Sequence, residues 1–180
     1  MSHDVGSPGE LRAKVNLTRN EIAHLWNGGV LSLKVEGLGR RRKEHPMRLK
    51  KAEREFVAYQ RVCRVATVGR KGRPHNVPVC PILEGDRIYF ASAADGVKVQ
   101  NIRATGHVAL AYDEYSEAWS GLKGILIRGT GQIIEAGPIF RRIRKLLYQR
   151  YPQYEAQAAL EERESVIIEV TPTRTFNWGL

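Results

Sequence analysis

Between residues 64 and 101 the chain reads RVATVGRKGRPHNVPVCPILEGDRIYFASAADGVKVQN, three strand-length runs joined by tight turns and closed by the start of a helix. Residues 64–68 are rich in β-branched side chains, and the Gly69-Arg70-Lys71-Gly72-Arg73 cluster after them is a turn. Residues 76–83 resume as an apolar run, Glu84-Gly85-Asp86 turns it, and residues 87–92 return as a third strand. Pro78 and Pro81 each lack a ladder donor, so the middle strand is expected to be bulged or at a sheet edge, where a ligand can approach.

The flanking chain supplies the rest of a barrel and its helices. Residues 49–61 carry Leu49, Ala52, Phe56 and Tyr59 at helical spacing, which predicts a helix packing across a barrel end by that face. Residues 96–105 read as a short helix ended by a left-handed cap at Gly106, and residues 107–113 as a half-buried strand. A connection rich in Tyr, Glu and Trp leads to a long strand at 122–134, with a bend expected at Gly129 or Gly131. Pro138 opens a helix with Ile139, Ile143, Leu146 and Leu147 as its apolar stripe and Arg141, Arg142, Arg144, Lys145 and Arg150 on the other face. A second short helix ends near Glu162, and the last strand runs from 165 to 170, continuing past Pro172 towards Trp178.

Ahead of this lies a segment of different character. Residues 1–17 are polar and aperiodic and are expected to be mobile. Thr18 and Glu21 form a capping box for a short helix through Trp26, residues 30–35 alternate weakly as a strand, and 37–43 form a basic loop with Arg40, Arg41, Arg42 and Lys43. The division expected is an N-terminal arm at 1–48 and one domain at 49–180.

Composition matters at three points. Hydrophobic residues make up 42% and charged ones 27%, enough for a core that buries roughly 70% of the unfolded surface. Cys63 and Cys80 sit inside strand patterns without C-x-x-C spacing, so no metal site or disulfide framework is expected. With no signal peptide and no apolar run near the ~20 residues of a membrane span, the expected location is the cytoplasm. The net charge of +10 asks for an anionic partner or simply keeps the protein soluble. Nucleic acid is disfavoured, because aromatic residues are not interleaved with the basic run.

The ordered set R-V-A-T-V, G-x-P-H-x-V-P-V, a G-D hairpin, I-Y-F-A-S and K-x-x-N-I-R resembles the flavin-binding split barrel of pyridoxamine 5′-phosphate oxidase and its relatives, over residues 49–178. The resemblance implies a mainly β protein with flanking helices, a six-stranded antiparallel split barrel, forming a homodimer with FMN between subunits. It implies a flavin-dependent oxidoreductase passing hydride or two electrons between a reduced donor and a small-molecule substrate. F420, a deazaflavin, is the alternative cofactor, and a carrier or sensor without turnover is the alternative role.

Residue by residue, Lys98 in the first turn of its helix and Ser92 just before it match the family's phosphate-binding segment, joined by Arg64 and Thr67 of the first strand. Physical chemistry agrees, since a cation, a hydroxyl and free N–H groups at a helix start are oriented for an anion. Asn101 matches a position that steadies the same turn. Val77, Pro78 and Val79 occupy the strand that resembles the ring-contacting one, and Trp119 matches the region that faces the partner subunit's flavin. His75 reads as a turn residue and Cys80 as a small core residue rather than as catalytic groups. Gly96 stands where F420-binding relatives often carry a second cation, and RTFNWGL lacks the vitamin oxidase's substrate-binding Arg and His.

Overall fold

The structure, a computed structural model, describes residues 45–180. The helix at 18–26, the strand at 30–35 and the basic loop at 37–43 lie outside the described residues. The elements are α1 (Lys51–Tyr59), β1 (Cys63–Val68), β2 (Pro74–Val79), β3 (Ile82–Glu84), β4 (Arg87–Ala93), α2 (Val97–Thr105), β5 (His107–Glu114), a 3-10 turn at Trp119–Gly121, β6 (Lys123–Ile134), α3 (Pro138–Arg150), α4 (Gln153–Gln157) and β7 (Ser165–Trp178).

All strand pairings are antiparallel, in the order β2-β1-β5-β6-β7-β4-β3. The strands at the two ends of that order, β2 and β3, are separated in sequence only by Cys80 and Pro81. A flat sheet cannot satisfy this, so the sheet rolls until its edges approach, which is the split barrel. The expected six strands are seven. The run at 76–83 breaks at Cys80-Pro81 because the chain must leave one edge and join the other there, and Pro81 has no N–H to continue a ladder. The expectation that the proline-bearing strand is an edge strand holds for β2.

Inside the barrel, Val65, Phe90, Leu110, Ile125, Ile127, Val166 and Ile168 are fully or almost fully buried. A second cluster forms on the outside, where Phe140, Ile143, Leu147 and Tyr151 pack over Tyr89 and Ile167. Each such side chain contributes roughly 1.5–3 kcal/mol by leaving water. The buried stripe of α3 is thus rotated from the expected one, with Ile139 exposed, and α4 is shorter than expected.

α1 is rotated as well. Ala52 and Tyr59 are exposed, while Leu49, Glu53 and Val57 are buried. Glu53 turns inward because donors await it: the Lys50 N–H donates at 2.8 Å, Thr175 Oγ1 at 3.0 Å and Asn177 Nδ2 at 2.6 Å. A buried carboxylate is tolerable only when its lone pairs are occupied in this way. It ties the helix that precedes the barrel to the strand that ends it, and the Met47 N–H adds a bond to Pro172 O at 2.9 Å.

The long strands bend where a bend was expected. The β6–β7 register shifts between Arg128 and Gly129, with Thr173 as the extra residue between the pairs Arg128–Arg174 and Gly129–Pro172. Gly129 is required there, since a Cβ would lie 2.4 Å from Thr171 O. α2 ends at Gly106, in the left-handed conformation at φ 71°.

Candidate functional site

α2 closes one end of the barrel, and its first turn is the most anion-ready point of the described chain. The N-cap is Gly96, with no side-chain cap bond; its own N–H donates to Ala93 O and the Val99 N–H to Gly96 O, which leaves the Val97 and Lys98 N–H groups for an external acceptor. Lys98, in that turn, is half-buried with no acid partner among the described residues, and burial pushes its ammonium below the usual lysine pKa. A Cβ placed on Gly96 would lie 3.1 Å from Ser92 Oγ and 3.9 Å from Lys98 Nζ, so hydroxyl and amine converge on the space beside a bare backbone. Ser92 Oγ is itself buried and bonds only weakly to Ala93 O, at 3.2 Å. A cation, a hydroxyl and helix-start donors around one small space suit a phosphate.

One turn further on, Asn101 Nδ2 donates to Thr67 Oγ1 at 3.1 Å, and Thr105 Oγ1 donates to Val68 O at 2.9 Å. These bonds pin α2 to β1 and hold the first turn in place. Gly69 belongs to the same arrangement, because a Cβ there would fall 2.7 Å from Asn101 Oδ1.

The other expected residues fall differently. Arg64 and Thr67 lie on opposite faces of β1, since they are an odd number of residues apart: Thr67 is buried, whereas Arg64 is exposed and paired with Asp113 of β5. Val77 and Val79 face inward and Pro78 outward, so β2 offers an apolar inner wall and an exposed proline ridge. Trp119 is 86% exposed on its 3-10 turn, an aromatic ring with nothing over it among the described residues. His75 is half-buried on β2. Cys63 is fully buried, with its thiol pushed up to about 12 by burial, which makes it inert.

The basic face of α3 is largely spent on the fold. Arg141 pairs with Glu162 at 2.9 Å, Arg142 with Glu84, and Arg144 donates to Leu160 O at 3.0 Å. Arg150 reaches the carbonyls of Ala58 at 2.7 Å and Gln60 at 2.9 Å, closing the C-terminus of α1. Among the described residues no group of three or more His, Cys, Asp or Glu is arranged for a metal ion, and no helix is long and apolar enough to cross a membrane.

An antiparallel sheet rolled until its edges approach, with α2 across one end, defines a split-barrel protein. The family model described as pyridoxamine 5′-phosphate oxidase matches residues 49–179, and the chain belongs to that family. Among solved structures, a conserved hypothetical protein from Mycobacterium tuberculosis superposes with a TM-score of 0.63 at 20% identity, over 78% of this chain and 89% of that one. HutZ, a heme storage protein from Vibrio cholerae, gives 0.61 at 15% identity, over 72% and 94%. An F420 reductase gives 0.55 at 22% identity, over 71% and 98%. At these identities the likeness concerns the fold. No curated protein matches the chain.

Proposed function

We propose that this protein is an FMN-binding oxidoreductase that holds the flavin by its phosphate at the first turn of α2. The observation that carries the reading is Lys98: a lysine left half-buried and unpaired costs stability, and a phosphate beside Ser92 and Gly96 would restore its charge and fill the donors around it. Asn101 and Thr67 act as positioning residues by fixing α2 against β1. Val77 and Val79 anchor the edge strand β2 in the barrel core, and its outward Pro78 is proposed to meet the flat ring. Arg64, which pairs with Asp113 on the opposite face of β1 from Thr67, is proposed to lie outside this phosphate site.

When bound, a flavin supplies two-electron chemistry, and the protein contributes orientation and exclusion of water. A small molecule and a reduced donor are the other reactants. A second copy of the chain is proposed to complete the site, with its Trp119 covering the ring, because an indole this exposed suits an interface. The chain before Pro46 is proposed to be dispensable for the barrel.

The test is the absorbance spectrum of freshly purified protein with mass spectrometry of what denaturation releases. Bands near ~450 nm with released FMN support the proposal, and a single band near ~420 nm with a deazaflavin moves it to F420. A Soret band near ~400 nm would instead place this chain beside the heme storage protein it resembles in fold. Colourless protein that binds none of these when they are added refutes the enzyme reading.

A further inference from the structure

The chain that builds the α2 end of the barrel is charged with one sign. Residues 61–83 and 96–112, which supply β1, β2, α2 and most of β5, contain no aspartate or glutamate. Some of their cations are used by the fold: Arg61 donates to Arg150 O, Arg64 pairs with Asp113, and Arg103 pairs with Glu135. The others have no acid and no hydrogen-bond acceptor among the described residues. They are Lys98, in the first turn of α2, and Arg70, Lys71 and Arg73, on the hairpin between β1 and β2.

The hairpin holds its three cations out from the barrel. The Gly72 N–H donates to Gly69 O at 2.9 Å, which makes residues 69–72 a tight turn with Arg70 and Lys71 at its central positions. Gly72 takes a left-handed φ of 73° as the chain turns back towards β2. Arg70, Lys71 and Arg73 are all exposed. The turn does not require them, since its central positions accept most residues, and like charges this close repel one another through the solvent.

The root of the hairpin is fixed against α2. A Cβ on Gly69 would lie 2.7 Å from Asn101 Oδ1, and Thr105 Oγ1 donates to Val68 O at 2.9 Å. Asn101 is three residues from Lys98, about 5 Å along the helix axis. The tip lies at most roughly 10 Å of chain beyond Gly69. One extended molecule can therefore touch the hairpin cations and a cofactor held at Lys98 together.

We propose that Arg70, Lys71 and Arg73 recognise the reduced donor, and that this donor is a nicotinamide dinucleotide with an extra phosphate on its adenosine ribose. The assignment rests on the flavin reading, because a hydride donor is needed only where a flavin ring accepts the hydride. Lys98 answers the single phosphate of FMN, whereas a phosphorylated dinucleotide presents several charges along its length. Guanidiniums take a ribose phosphate through paired N–H donors, and a lysine adds a point charge. The nicotinamide end is left to reach the ring, and on hydride transfer the dinucleotide is oxidised and the flavin reduced by the same electron pair.

Calorimetric titration of the full chain with adenosine 2′,5′-bisphosphate and with adenosine 5′-monophosphate tests the hairpin without any flavin. The bisphosphate is expected to bind about tenfold more tightly, and Arg70→Gln and Arg73→Gln should each bring it down towards the level of the monophosphate. The companion measurement is anaerobic bleaching of FMN-loaded protein. There the phosphorylated dinucleotide should reach its half-maximal rate at about one tenth of the concentration its unphosphorylated counterpart needs, and the arginine variants should bring the two together. Equal binding of the two nucleotides, or a preference that survives both substitutions, overturns the proposal, while FMN retained by the same samples leaves the flavin reading standing. A chain that takes up no FMN ends the donor role together with the flavin reading, whatever the hairpin binds. Duplex DNA bound more tightly than the bisphosphate and released by the same substitutions also overturns it, by assigning the hairpin to nucleic acid.

Discussion

Replacing Lys98 with methionine keeps the length of the side chain and removes its charge, so it separates anion binding from packing. A hydrogen bond to a charged partner is worth about 1.5–3 kcal/mol, so FMN affinity should fall on the order of ten- to a hundredfold. Stability should move the other way. Burial holds the Lys98 pKa below its unfolded value, so the charged form costs stability at neutral pH, and that cost is relieved only as pH rises through the lowered pKa. Because the amine keeps considerable contact with water, the gain on substitution is screened to a few tenths of a kcal/mol. The assay is quenching of flavin fluorescence on titration into protein freed of cofactor, with thermal melts of the same samples. Riboflavin, which lacks the phosphate, is the control and should bind both proteins alike. FMN affinity of the unmodified chain should fall as pH rises through the lowered lysine pKa, and the methionine variant should show no such decline. FMN affinities within twofold of one another, or an equal loss for riboflavin, would refute the assignment of Lys98 to the phosphate.

Glu53→Ala leaves Thr175 and Asn177 without their acceptor, and a loss of about 3 kcal/mol is expected from stranded buried donors, a fall in Tm on the order of 10 °C. A fall of only 1–2 °C would mean that the carboxylate does not tie α1 to β7. Gly124→Ala puts a methyl group where the Trp178 indole lies, 2.1 Å from its nearest ring atom, so the ring must leave and tryptophan fluorescence should shift with a loss of roughly 1–3 kcal/mol. An unchanged spectrum would show that the indole is not seated on that glycine. At pH 8, Cys63 should resist a thiol reagent until the protein unfolds, so native protein should titrate at most one thiol per chain and denatured protein two. Two fast thiols in native protein would contradict the burial of Cys63.

What the sequence determines here is local. Turn chemistry at Gly69–Arg73 and Glu84–Asp86 specifies hairpins because few residues tolerate those backbone angles, and prolines in a strand specify an edge because they cannot donate to a ladder. The helix start at Gly96 and its lysine are equally legible, being contiguous. The rotation of α1 was not, because Glu53 reads as a solvent residue until β7 brings Thr175 and Asn177 to it from more than a hundred positions away. The separation of Arg64 from Thr67 was legible in principle, since strand parity alone puts them on opposite faces. The break at Cys80-Pro81 and the seventh strand follow from the closure of the sheet, which no short window of sequence contains. The phase of β7 is a case of the same kind: one extra residue at Thr173 decides which of its side chains enter the barrel, and a one-residue shift in a period of two is visible only once both strands are in register.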